Sequence, residues 1–201
     1  PPALITMLAS LGGFGDPPEA VVAGINLGPN TGRSTLFSGT IGAVLTGERF
    51  GWSGLAVSLD VAPSGNGDLG SDPEPHWQSA ADLAHTIVPW LVESPPRTVL
   101  NLNVPNLPTS KTRGLRWAEL APVGGVRTII TGRDEASLHL ALVANDLSVP
   151  EGSDSDLLRN GWATITSLVP THEVRGDFPL DGWEAGWRSR SAAGGIPNGQ
   201  D

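Results

Sequence analysis

The stretch VVAGINLGPNTGRSTLFSGTIGAVLTG, Val21 to Gly47, carries residue types able to hold a cation and an anion side by side. An apolar run ends at Asn26, whose side-chain carbonyl is a neutral oxygen donor suited to a hard cation such as Mg2+ or Mn2+. Asn30 follows, with Gly28 and Gly32 allowing the intervening loop to turn back. Ser38, Gly39 and Thr40 then open a helical pattern, and hydroxyls beside the unpaired N–H groups of a helix N-terminus form an anion site. A cation ligand next to a phosphate cradle is what metal-assisted hydrolysis of a phosphate ester requires. Taken singly, these residues have plainer uses. Asn26 and Asn30 suit turns, and Ser38 suits a helix N-cap. Their combination where a strand gives way to a helix is what points to chemistry.

The elements that must position them can be read from the surrounding pattern. Val21–Ile25 is apolar without alternation, which predicts a parallel strand covered on both faces, with Asn26 just beyond its carboxyl end. Before it, Ala3–Leu11 reads as a short helix closed by Gly12 and Gly13, with Pro17 and Pro18 excluding its continuation. After it come a helix over Ser38–Gly47, a strand over Gly54–Asp60, a helix over His76–Val92 and a strand over Thr98–Val104. This alternation predicts an α/β fold: a Rossmann-like, mainly parallel sheet with right-handed crossovers and helices on both faces. Ligands of such sheets bind beyond the carboxyl ends of the strands, where Asn26 falls.

From about residue 115 the period shortens. Leu115–Leu120, Arg127–Thr131, Leu138–Val143 and Trp162–Leu168 read as β-hairpin extensions laid against the α/β part. Val61–Pro75 is acidic and low in complexity and reads as a surface loop, and Arg188–Asp201 reads as a flexible tail. Residues 1–168 therefore form the expected α/β domain and 169–201 a separate C-terminal segment.

Composition narrows the partners. The chain has 201 residues and a formal net charge of −9, which argues against a nucleic-acid polymer as partner. No run approaches the roughly 18 apolar residues of a membrane span, so no membrane partner is expected. There is no cysteine, in keeping with a reducing compartment, and a cytoplasmic location is expected.

The same residues resemble a known family. VVAGINLGPNTGRSTLFSGTIGAVLTG is similar to the signature SGINxGxNxGxxxxYSGTVxAAxEG of the SurE (survival protein E) nucleotidases. In unbroken order, PPALITMLA resembles that family's TPADCVxLA helix, GLAVSL its PALAVSL strand, and HWQSAA its HYxTAA. LNLNVPNLP resembles LNVNVPDLP, and GSDSDLLRNGWATITSL resembles GTDFxAVxxGYVSITPL, so the likeness runs from Pro1 to Leu168. It implies a phosphatase of nucleoside 5′- and 3′-monophosphates that depends on a divalent cation, Mg2+ or Mn2+. It also implies a homodimer or homotetramer. Carried over residue by residue, Asn26 is the metal ligand and a catalytic residue with Ser38, while Asn30, Ser38, Gly39 and Thr40 line the phosphate site. The family's NDDG motif, which supplies the metal carboxylates, lies before the region matching Pro1, as does a serine ligand. Metal carboxylates and the first strands are therefore expected upstream, and these 201 residues alone are expected to show little metal-dependent phosphatase activity. Phe37 stands where the family has tyrosine, and Pro170–Arg190 lacks its swapped-helix pattern. The competing class is a non-catalytic remnant or assembly module that keeps the fold without the metal.

Other motifs carry less. GWSGL, Gly51–Leu55, lacks the final glycine of a nucleophile elbow, and the four histidines show no zinc-binding spacing. Asp60 ends a strand at the same edge as Asn26, within reach of a metal there, but reads chiefly as a surface turn residue; Asp154 and Asp156 could buttress the site or cap a turn, and the turn cap is the reading preferred. The seven tryptophans, Trp162 among them, read as core and interface residues. Neither a P-loop nor a dinucleotide fingerprint is present.

Overall fold

The computed structural model describes residues 1–61, 74–124, 126–144 and 148–170. The expected loop over Val61–Pro75 falls almost wholly outside them, and so do residues 171–201, including the expected tail. At the centre of the sheet lie the two most apolar strands, β2 (Ser53–Asp60) and β3 (Val99–Pro105). Every residue of β3 is buried, and every residue of β2 except Asp60. With β1 (Ala20–Leu27) they form three parallel strands. β7 (Ala163–Ser167) runs antiparallel to β3, and β4 (Leu115–Trp117) pairs parallel with β7, giving the order β1-β2-β3-β7-β4. The expected mainly parallel α/β sheet is what the chain forms.

Alternation along β2 and β3 sends side chains to opposite faces. Leu55, Val57, Leu59, Leu100, Leu102 and Val104 join Ala80, Ile87 and Leu91 of helix α3 (Trp77–Glu93) in one core. On the other face Ala56 and Val99 meet Ile41 and Val44 of helix α2 (Gly39–Arg49). Each fully buried leucine or valine in these layers contributes on the order of 1.5–3 kcal/mol of transfer free energy. Helix α1 (Pro2–Ser10) packs on α2 and leaves Leu4, Ile5, Met7 and Leu8 exposed.

Several expectations need correction. Val21–Ile25 is not a fully buried interior strand: Ile25 packs into the α3-side core and Val21 and Ala23 into the α2-side core, but among the described residues β1 is an edge strand paired only with β2, and Val22 and Leu27 are 51% and 61% exposed. Nor does Asn26 lie beyond the strand, because the ladder continues through it to Leu27 and sets Asn26 opposite Ser58. The second half is also more integrated than a set of hairpins. Among the described residues only β5 (Val126–Arg133) and β6 (Leu138–Ala144) form one, an antiparallel pair whose turn is fixed by Asp134 accepting from the N–H groups of Ala136 and Ser137. β4 and β7 belong to the main sheet, and the segment read as a turn before β7 contains a fourth helix, α4 (Asp154–Arg159).

Close approach of α2 to the sheet depends on Gly54, where an added Cβ would stand 2.6 Å from Val44 Cβ. Gly54→Ala is expected to cost about 1–3 kcal/mol by overpacking, measured by chemical denaturation. Val44→Ala in the same chain should restore part of that loss, whereas a neutral Gly54→Ala would contradict the packing.

Candidate active site at the carboxyl edge of the sheet

Because β1, α2 and β2 form a parallel crossover, α2 runs opposite to the strands and begins at the edge where they end. All the sequence-expected site residues therefore belong to one edge. Asn26 lies near the end of β1, half-buried, and its Nδ2 donates to the Gly28 carbonyl at 2.8 Å. That bond leaves the side-chain carbonyl as the atom available to a ligand. Gly28 N–H donates to Leu59 O at 2.8 Å, so the chain stays fastened to β2 as it leaves β1.

Asn30 is held more tightly than any turn statistic would suggest. Its N–H donates to Asn103 Oδ1 at 2.7 Å, and its carbonyl accepts from Asn101 Nδ2 at 2.8 Å and Asn103 Nδ2 at 3.0 Å. Its own Nδ2 donates to Ser58 Oγ at 2.8 Å. Ser58, Asn101 and Asn103 are fully buried and occupy the α2 side of the sheet. That face is thus apolar where α2 covers it and polar where the Asn30 loop covers it. Buried amides of this kind cost roughly 1–3 kcal/mol each when left unpaired.

Further along the loop, Gly32 N–H donates to Asp154 Oδ2 at 2.7 Å. The same carboxylate accepts from Ala121 N–H at 2.9 Å and Ser155 N–H at 2.7 Å, and Asp154 is wholly buried. The expectation of a turn cap holds for Asp156, which accepts from Gly152 N–H, but Asp154 is a strut tying α4 to the loop. Gly32 itself has φ +58° and no room for a Cβ against the Val123 carbonyl. A 3-10 helix over Gly32–Phe37 then delivers the chain to Ser38.

Ser38 caps α2: its Oγ accepts from Ile41 N–H at 3.2 Å. The cap uses a lone pair and leaves the hydroxyl proton free to donate outward. Gly39 and Thr40 form the first turn, where N–H groups lack intrahelical partners and the helix dipole is positive. Among the described residues no hydrogen bond joins Asn26 or Asn30 to Ser38, Gly39 or Thr40; the connection is through the fixed loop.

Sequence reasoning missed Ser58, Asn101 and Asn103. The signal was present in TVLNLNV, where two asparagines at alternate positions of an apolar strand must share one face. Ser53 of GWSGL is buried at the start of β2, which agrees with rejecting a nucleophile there. Trp162 is covered by the guanidinium groups of Arg113 and Arg116, at 5.0 and 3.9 Å.

Asp60 proves to be a partly buried strand end rather than a surface turn. Burial raises its carboxyl above the usual carboxylate value, and the charge of Arg159 offsets part of the shift. Folding therefore favours protonated Asp60. This contribution is complete below the unfolded-state value and is lost as pH rises through the raised folded-state value. Asp60→Asn, which mimics the protonated form, is expected to raise Tm at pH 7–8 in metal-free buffer, with the gain vanishing in acid below about pH 3.5. A gain of equal size at both pH values would contradict this.

Comparison with known proteins bears on this arrangement. The family model "Survival protein SurE" matches residues 1–123. The 5′-nucleotidase SurE of Pseudomonas putida is 33% identical over 175 residues, covering 84% of this chain and 66% of the relative. That of Pseudomonas entomophila matches to the same extent, so the chain spans just under two thirds of these relatives' length. The SurE protein from Aquifex aeolicus superposes with a TM-score of 0.63 at 21% identity, covering 94% of this chain and 73% of that one, which shows a shared fold. With the signature stretch spanning the edge of the sheet and the family model covering well over half of the residues, the chain belongs to the SurE family.

Proposed function

We propose that the protein hydrolyses nucleoside 5′- and 3′-monophosphates to nucleoside and phosphate, and that it does so with a divalent cation, Mg2+ or Mn2+. The observation that carries this reading is the clamped loop: Asn30 is fixed on the sheet, and the chain leaving it ends at the Ser38-capped N-terminus of α2. The names of the relatives, 5′-nucleotidase SurE, support a nucleoside monophosphate as substrate. A homodimer or homotetramer and a cytoplasmic location belong to the same reading and rest on family resemblance. Among the described residues no helix is long and apolar enough to cross a membrane.

The fit to the cation can be tested on the residues present. Asn26 offers one neutral oxygen, and hard divalent ions take about six, with carboxylates supplying the charge. Among the described residues no three His, Asp or Glu side chains cluster as a metal site. Asn26 can thus serve as one ligand, and the described residues do not complete the set. The chain's own residues bind and orient the phosphate. Ser38 O–H and the N–H groups of Gly39 and Thr40 donate to phosphoryl oxygens, at the usual 2.7–3.2 Å or so. The positive end of the α2 dipole favours the charge that builds on those oxygens during attack by water. Asn30 holds the loop in register with Asn26.

In the complete polypeptide, phosphate release from adenosine 5′- and 3′-monophosphate is expected with Mn2+ or Mg2+ and not after chelation with EDTA. Asn26→Ala should lower turnover by roughly a hundredfold or more with only a modest change in Tm. If Tm collapses while activity per folded molecule survives, Asn26 is a structural residue. If the wild-type protein folds and releases no phosphate from either substrate, the non-catalytic alternative is correct.

A further inference from the structure

Nothing in the packing of β3 requires asparagine at 101 and 103. Both side chains are fully buried in a strand otherwise built of valine and leucine, and on the opposite face Leu100, Leu102 and Val104 fill the core as expected. Buried amides are costly unless bonded, so their bonds show what they are for. Both Nδ2 groups converge on one atom, the Asn30 carbonyl, at 2.8 and 3.0 Å, and Asn103 Oδ1 takes the Asn30 N–H at 2.7 Å. They grip both ends of a single residue's backbone outside any strand ladder.

Asn101 does so at an evident loss. Its Oδ1 is buried with no hydrogen-bond partner among the described residues, as is Oγ1 of Thr164, which lies opposite Asn103 on β7. A residue selected only for stability at this position would be leucine or valine, like its neighbours. A local rule broken without compensation in the core marks a position held for function.

We propose that Asn101 and Asn103 are positioning residues of the catalytic site. They fix the Asn30 peptide, and with it the loop from Gly28 to Ser38, so that the N-terminus of α2 keeps its place relative to Asn26. This rests on the nucleotidase reading above. They touch no substrate. Their action passes through Asn30, and a displacement of about 1 Å at a reacting centre can cost on the order of a hundredfold in rate.

Asn101→Leu is the decisive variant, because it is close to isosteric and removes the unpaired acceptor together with the donor. The complete polypeptide is assayed on adenosine 5′-monophosphate with Mn2+, alongside thermal melting and amide hydrogen exchange. Asn101→Leu is expected to keep or raise Tm while kcat falls at least tenfold and KM changes less. Asn103→Leu should in addition speed exchange of the Asn30 N–H, which Asn103 Oδ1 now protects. If Asn101→Leu lowers Tm and leaves kcat per folded molecule unchanged, both asparagines are structural and the proposal is overturned. Unaffected Asn30 exchange in a folded Asn103→Leu protein would overturn it equally. A folded wild-type protein with no activity toward the nucleotide would instead remove the nucleotidase reading itself, and the positioning role with it.

Discussion

The attachment of one peptide, that of Asn30, to the middle of the sheet is the constraint on which the rest of this site depends. Loops after parallel strands have no ladder to hold them, and their backbone polar groups must find partners elsewhere. Here the partners are the side chains of Asn101 and Asn103, rising from β3, while Ser58 on β2 accepts from the Asn30 side chain. Because these strands are also the most buried, their positions are fixed by the two hydrophobic layers around them. The loop thus inherits the rigidity of the core through hydrogen bonds of 2.7–3.0 Å.

Division of one sheet face into two zones makes this possible. Near the amino ends of the strands the α2 side presents Gly54, Ala56 and Val99, small or apolar residues against which the helix lies close. Toward the carboxyl ends it presents Ser58, Asn103 and Thr164, set opposite one another across β2, β3 and β7. Helix α2 covers the first zone, and the loop that precedes it covers the second. Asp154 closes the far side by taking three backbone N–H groups from Gly32, Ala121 and Ser155, so α4 and the segment after β4 are tied to the same loop. A carboxylate that satisfies three buried donors cannot be replaced by an apolar residue without leaving all of them unpaired.

Much of this could be read from sequence, and the misses have physical causes. Asn26, Asn30 and Ser38–Thr40 stand out because polar residues at a strand-to-helix junction have few structural reasons to cluster, and the structure places them at one edge. The positions of α2, α3, β2 and β3 followed from periodicity to within one or two residues. Val21–Ile25 misled because an unbroken apolar run indicates burial without saying what provides it, and among the described residues one edge of β1 has no strand beside it. α4 was missed because six residues are too few to display a helical period, and its capping serine and two aspartates look like a turn. Pairing of β7 with β3 and β4 joins residues far apart in the chain, which local pattern does not encode. Asn101 and Asn103 were legible in principle, since alternation puts both on one face, but their partner could be found only in three dimensions.

The central claim is that the fixed loop and the N-terminus of α2 make one phosphate site, and a crystal structure of the complete polypeptide with inorganic phosphate and Mn2+ tests it most directly. Phosphate oxygens are expected within about 3.2 Å of Ser38 Oγ and the N–H groups of Gly39 and Thr40, with Asn26 Oδ1 turned toward the cation beside them. Phosphate bound elsewhere, for instance in the groove of about 660 Å³ lined by Trp117, Glu119, Glu151 and Ser153, with the α2 N-terminus empty, would contradict it.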